Sequence, residues 1–175
     1  METENNLSVL YASLPEMPAQ VLHLLALFPA EDLTWKPDSW EGNPGENFSA
    51  IEQICHLRDI EIDGYHKRIA AIRETDEPLL SSIDGYTLSV ERDYAHTNLM
   101  DAWQAFANAR LTTISILENL NEAAWERAGD FHGRVNLRGL IHFLCSHDME
   151  HLASLRWLLG KLEGRITEKD LENSF

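Results

Sequence analysis

Positive charge, cysteine and long apolar stretches are all scarce in this sequence, and each shortage removes a class of function. Fourteen lysines and arginines face 29 aspartates and glutamates, a formal net charge of −15. Such a surface repels phosphate backbones and anionic bilayers, and no local basic patch offsets it, so no nucleic acid or membrane partner is expected. Two cysteines, Cys55 and Cys145, form no disulfide framework and suit a reducing compartment. No apolar run approaches the roughly 18 residues that a membrane span needs. The opening Met-Glu-Thr-Glu-Asn-Asn is acidic where a secretory leader would be basic and then apolar, so a cytoplasmic protein is expected. There is no internal repeat, glycine-rich phosphate loop or nucleophile elbow, and strand signals are nearly absent.

What is present is amphipathic helix. The 175 residues suffice for one well-buried domain, read here as 1–175 with a peripheral tail over 161–175. Leu7, Leu10, Tyr11, Leu14, Val21, Leu24, Leu25 and Phe28 recur at helical spacing, interrupted by Pro15 and Pro18. Ser13 and Glu16 make a capping box, so either a second helix begins at Leu14 or one helix carries a kink. Trp35, Trp40 and the run Gly42-Asn43-Pro44-Gly45 form a loop whose two aromatics are expected to plug one end of the core, with direct substrate contact as the alternative. A second helix starts at Ser49, with Glu52 closing a capping box, and continues to about Arg73 along Ile51, Cys55, Ile62, Tyr65, Ile69 and Ile72. His56 lies off the centre of that face, which suits a site near one end of a bundle. After a loop over 74–88, a third helix spans about Val90 to Leu120, with Arg110 on its apolar stripe. A buried arginine there calls for a carboxylate partner or an anionic ligand. A loop from Trp125 to Val135 precedes the last helix.

That last helix, Leu137 to Gly160, carries the chemistry. Asn136 is its N-cap and Gly160 its expected C′ residue. Its seam reads Leu140, Leu144, His147, His151, Ser154, Leu158, alternating steps of four and three. Residues four apart on a helix stand about 40° apart around the axis, so His147 and His151 can aim two imidazoles at one point. Such a pair suits a divalent transition metal, and two separately hydrogen-bonded core histidines would give the same pattern. Asp148 and Glu150 point away from the pair and read as surface or salt-bridge residues. His23, His66, His96, His132 and His142 have no partner at ligand spacing.

The segment Phe48 to Glu61, followed by His147-Asp148-Met149-Glu150-His151-Leu152 on the last helix, resembles the DinB/YfiT-like superfamily of metal-binding four-helix bundles. Trp35-Lys36-Pro37 and Phe131-His132-Gly133-Arg134 look similar to the same family. The resemblance implies an all-α four-helix bundle, up-down-down-up or similar, with long loops. It implies a metal triad of His56, His147 and His151, whose three imidazoles leave coordination positions open as in catalytic sites. Zinc, nickel, manganese and iron all suit it. By the same resemblance the protein is expected to be a metal-dependent enzyme, first a thiol-dependent S-transferase of detoxification type, with a low-molecular-weight thiol as co-substrate. A small metal-dependent hydrolase and a non-catalytic metal- or ligand-binding bundle are the alternatives. A small-molecule substrate is expected, as is a homodimer, with Met149, Leu152 and Leu159 as a partner surface.

Overall fold

The structure, a computed structural model, describes residues 11–165. Its four long members are α1 (Met17–Leu25), a continuous second helix, α5 (Leu99–Glu118) and α7 (Leu137–Glu163). The second helix consists of α2 (Ala50–Asp59), a π-helical segment (Ile60–Tyr65) and α3 (His66–Glu74). Shorter elements fill the connections: α4 (Gly85–Glu91), α6 (Glu122–Glu126) and an antiparallel hairpin of β1 (Ala128–Asp130) and β2 (Arg134–Asn136). α2 packs against α5 and α7, and α1 packs on the same two helices, so the four-helix bundle expected from sequence is what forms. Among the described residues, no helix is long and apolar enough to cross a membrane.

Local chemistry explains most of the boundaries. The capping-box residues at Ser49 start α2, with Glu52 Oε2 accepting from the Ser49 backbone N–H at 2.8 Å. Asn136 accepts from the Gly139 N–H at 3.0 Å and starts α7. Four expectations need correction. Ser13 makes no cap; a 3-10 turn over Leu14–Glu16 leads into α1, and Pro18 fits its first turn, where a missing N–H costs nothing. The third helix begins at Leu99, because Asn98 caps it and Asp93 upstream adopts φ +49°; Val90 belongs to α4. Gly160 does not end α7, which runs three residues further. The segment after Trp125 is a short hairpin, which β1 extends by exchanging backbone bonds of 2.8 Å with Pro78 and Leu80. Residues 166–175 of the tail lie outside the described residues.

The π-helical segment was not anticipated, and it re-phases the second helix. A wider turn takes up one extra residue, so Ile60 and Glu61 turn inward while Ile62 is exposed rather than on the apolar face. Glu61 thereby reaches Arg110, whose guanidinium also binds Asp148, with four charge-assisted bonds of 2.6–2.9 Å. Burial opposes the arginine's charge, but Glu61 and Asp148 outweigh it and hold the guanidinium protonated. Asp148, expected at the surface or in a salt bridge, is buried in this one.

Two hydrophobic clusters fill the bundle. One gathers Val21, Leu24, Ile54, Phe106, Leu155 and Leu158, the other Ile69, Ile72, Leu117, Leu137, Leu140 and Leu144. Along α7 the second cluster stops at Leu144 and the first resumes at Leu152, and the polar residues His147, Asp148 and His151 occupy the gap. The polar layer is therefore mid-bundle, not near one end as His56's offset suggested. Leu152 and Leu159 belong to the protein's own core, which leaves only Met149 exposed of the three residues read as a partner surface. Replacing Arg110 with Met strands two buried carboxylates, so urea unfolding is expected to show a loss of about 3–5 kcal/mol. A loss below about 1 kcal/mol would mean that water reaches this layer.

Candidate metal centre

Three elements converge on one point. α2 supplies His56, α7 supplies His147 and His151 one turn apart, and the loop ahead of α2 supplies Glu46. The Nε2 atoms of His56 and His147 stand 3.2 Å apart, and those of His147 and His151 3.1 Å apart. Glu46 Oε2 lies 2.9 Å from His56 Nε2 and 3.5 Å from His151 Nε2. One ligand atom from each of the four residues falls within 4.8 Å of all the others.

Neighbouring groups fix the rings. Gln53 spends its amide N–H on the Phe48 carbonyl at 3.1 Å, which turns its oxygen toward His151 Nδ1. His151 therefore donates from Nδ1 and presents a lone pair at Nε2. The His56 ring packs against Phe48, with centroids 5.0 Å apart, and against the backbone of Gly85 at the start of α4. A Cβ at position 85 would stand 2.5 Å from His56 Cε1, so only glycine admits this close approach. On the opposite side Asn43 holds the loop by donating to the carbonyls of Gly45 and Glu46 at 2.9 and 3.0 Å.

The donor set fits a divalent transition ion. Ligands at about 2.0–2.1 Å around a tetrahedral ion lie roughly 3.3 Å from one another, close to the separations found here. Burial holds His147 well below the ordinary histidine range, helped by the neighbouring His151 and His56, and burial likewise lowers His151. Both are thus neutral, the form that ligates. Burial alone would raise Glu46, but the imidazoles of His151 and His56 beside it outweigh burial and keep the carboxylate ionised. Nδ1 of His56 and of His147 has no hydrogen-bond partner among the described residues, so these two rings find their polar neighbours on the Nε2 side.

A cavity of about 400 Å³ opens onto this centre, walled by Ile60, Tyr65, Arg68, Ile83 and Phe131. A larger groove of about 740 Å³ between α1 and α7 includes His23 and Met149 but none of the four clustered residues. The three histidines named from sequence are brought together; Glu46 and Gln53 were missed. Glu46 carried a weak signal, an acid placed between a glycine-proline turn and a capping box. Glu52 is occupied by its cap and by Lys36 at 2.8 Å. His142 is exposed, and His66, His96 and His132 bond locally to Thr113, Asp93 and Ser82. Cys55 is fully buried, as expected of a small apolar residue, and Cys145 is half-buried.

A mid-bundle cluster of three histidines and a carboxylate beside an open cavity defines a helical-bundle protein of the metal-site class. The chain belongs to the DinB superfamily, whose family model matches residues 13–155. Among solved structures it is similar to YfiT from Bacillus subtilis, described as "a probable metal-dependent hydrolase with an unusual four-helix bundle topology". That match has a TM-score of 0.77 at 14% identity and covers 90% of this chain and 87% of the other, a likeness of fold. No curated protein matches this chain in sequence.

Histidines held below their ordinary value release protons on folding, so the unfolded state binds more protons once pH falls below about 6.5. Stability of the metal-free protein is therefore present above that pH and lost below it, by at most about 1.4 kcal/mol per pH unit for each histidine. Glu46 has the opposite charge type but the same sign, in a separate window below its ordinary value of 4.5. Chemical unfolding at pH 7.5, 6.5 and 5.5 is the check, and a flat profile would contradict neutral buried rings.

Proposed function

We propose that the protein is a metal-dependent hydrolase of a small-molecule substrate. The observation that carries this reading is Glu46, an ionised carboxylate 2.9 Å from a ligand-competent His56 Nε2 and facing the cavity. His56, His147 and His151 would hold the ion, which when bound supplies Lewis-acid activation of a nucleophile. Glu46 takes the proton of the attacking water, the water oxygen bonds to the acyl carbon, and Glu46 returns the proton to the leaving group as the acyl bond breaks. Tyr65 lines the same cavity, and burial pushes its phenol up so that it keeps its proton. It is a donor for the oxyanion that forms on the substrate. The likeness to YfiT supports the reaction class.

Thiol-dependent S-transfer is the second reading. It is favoured by the apolar wall of Ile60, Ile83 and Phe131, which suits an electrophile better than a bulk-water channel would. There Glu46 would take the proton of a thiol instead. In either case the proposal keeps the cytoplasmic location and the homodimer expected from sequence, and sedimentation checks the dimer.

Untagged protein incubated with zinc, nickel or manganese is expected to hold about one ion per chain by elemental analysis, and His147→Ala or His151→Ala to hold little. An ion-free parent would end the metal reading. Glu46→Gln is expected to keep the ion and to lose about 10²–10⁴-fold in ester hydrolysis. Loss of the ion from that variant would make Glu46 a ligand and not a base. Turnover that appears only when bacillithiol, mycothiol or glutathione is added would select S-transfer over hydrolysis.

A further inference from the structure

Two arginines are buried in the bundle, and their surroundings differ. Arg110, 1% exposed, has two carboxylates. Arg68, 6% exposed, has none among the described residues. Its Nε and Nη2 both donate to a single acceptor, the Ser81 carbonyl, at 3.1 and 2.9 Å. The guanidinium lies 4.3 Å from the centroid of the Phe131 ring and 5.2 Å from that of Tyr65. Nη1 has no hydrogen-bond partner among the described residues, and Gly64 leaves room beside it, since a Cβ there would stand 3.1 Å away. Burial disfavours the Arg68 charge.

A guanidinium offers five N–H donors in a planar fork. Here two are spent on one oxygen, which leaves the edge formed by Nη1 and the second Nη2 hydrogen. That edge is the one that matches a carboxylate in two parallel bonds. Arg68 also lines the cavity that holds His56, His147, His151 and Glu46. A buried cation without a counter-ion is costly, and one inside the reaction cavity of so acidic a chain has its partner supplied from outside.

We propose that Arg68 recognises a carboxylate on the substrate, so that the enzyme acts on small carboxylate-bearing esters, amides or thioesters whose scissile group reaches the histidine centre. The reacting end of this assignment rests on the hydrolase reading; the carboxylate site itself does not. A monoanion fits better than phosphate, because a single positive charge faces it in a cavity already lined by Glu46 and Glu150.

Two arms separate the ideas. In the first, metal-loaded protein is given 4-nitrophenyl acetate and the mono-4-nitrophenyl ester of succinate. Arg68→Met is expected to lose about tenfold to a hundredfold in kcat/KM on the anionic ester and less than about twofold on the neutral one. Arg68→Lys, which keeps the charge, is expected to fall between parent and Arg68→Met on the anionic ester. In the second arm, metal-free protein is titrated calorimetrically with monomethyl succinate and with inorganic phosphate. The parent is expected to bind monomethyl succinate in preference to phosphate, and Arg68→Met, shown folded by circular dichroism, to bind neither. Equal loss on both esters, equal monomethyl succinate binding by parent and variant, or preference for phosphate would overturn the proposal. If neither ester is turned over, the hydrolase reading fails, while the titration still decides the carboxylate site.

Discussion

The bond set between Arg110 and its two carboxylates is the constraint that orders this bundle. Arg110 belongs to α5, Glu61 to the π-helical segment and Asp148 to α7, so one guanidinium ties three of the four long helices. Replacing such a buried group by packed hydrocarbon is often neutral or favourable for stability. What hydrocarbon does not reproduce is direction. A bidentate pair tolerates little rotation, and Asp148 is the immediate neighbour of His147, so the pair sets how α7 is turned about its axis. The histidines are aimed by an interaction that does not touch them.

The same logic accounts for the two hydrophobic clusters. A bundle of this size could run a single apolar seam from end to end, and here the seam is interrupted by charged and imidazole groups. An interruption of this kind is unfavourable in isolation. It is tolerable because the cations and carboxylates beyond the histidines satisfy one another, and because Gln53 and Glu46 engage the rings. The apolar clusters on either side exclude water and let a few polar contacts act at low dielectric.

Much of this was legible in the residues. The step of four between His147 and His151 needs only helix geometry to predict convergence, and the caps at Ser49 and Asn136 are local chemistry that tertiary packing left undisturbed. Arg110 on an apolar stripe announced a carboxylate partner, though not which one, since that depended on how α7 and the π-helical segment face α5. Gly160 and Val90 misled because propensity at a helix end yields to packing: Leu162 still has a core to join, and Asn98 offers a better start. The hairpin has three-residue strands, too short for alternation to show. Glu46 lies ten positions from His56 with a loop between them, and no periodicity connects a loop to a helix face.

One feature of the second helix reaches beyond packing. In an unbroken α-helix, the twelve residues from His56 to Arg68 would leave the two side chains about 120° apart around the axis. The extra residue of the π-helical segment is worth about 100° of that, which brings both onto nearly the same side. A single insertion thus converts one helix into a carrier of two aligned functions, with the wide turn between them as the adjustable part. Selectivity in such an architecture has a coordinate of its own: changing where the wide turn sits would re-aim the distal half of the helix at a different reach or angle, while the histidine end kept its place. Descent within a bundle of this design would then proceed by sliding a register as readily as by exchanging a residue.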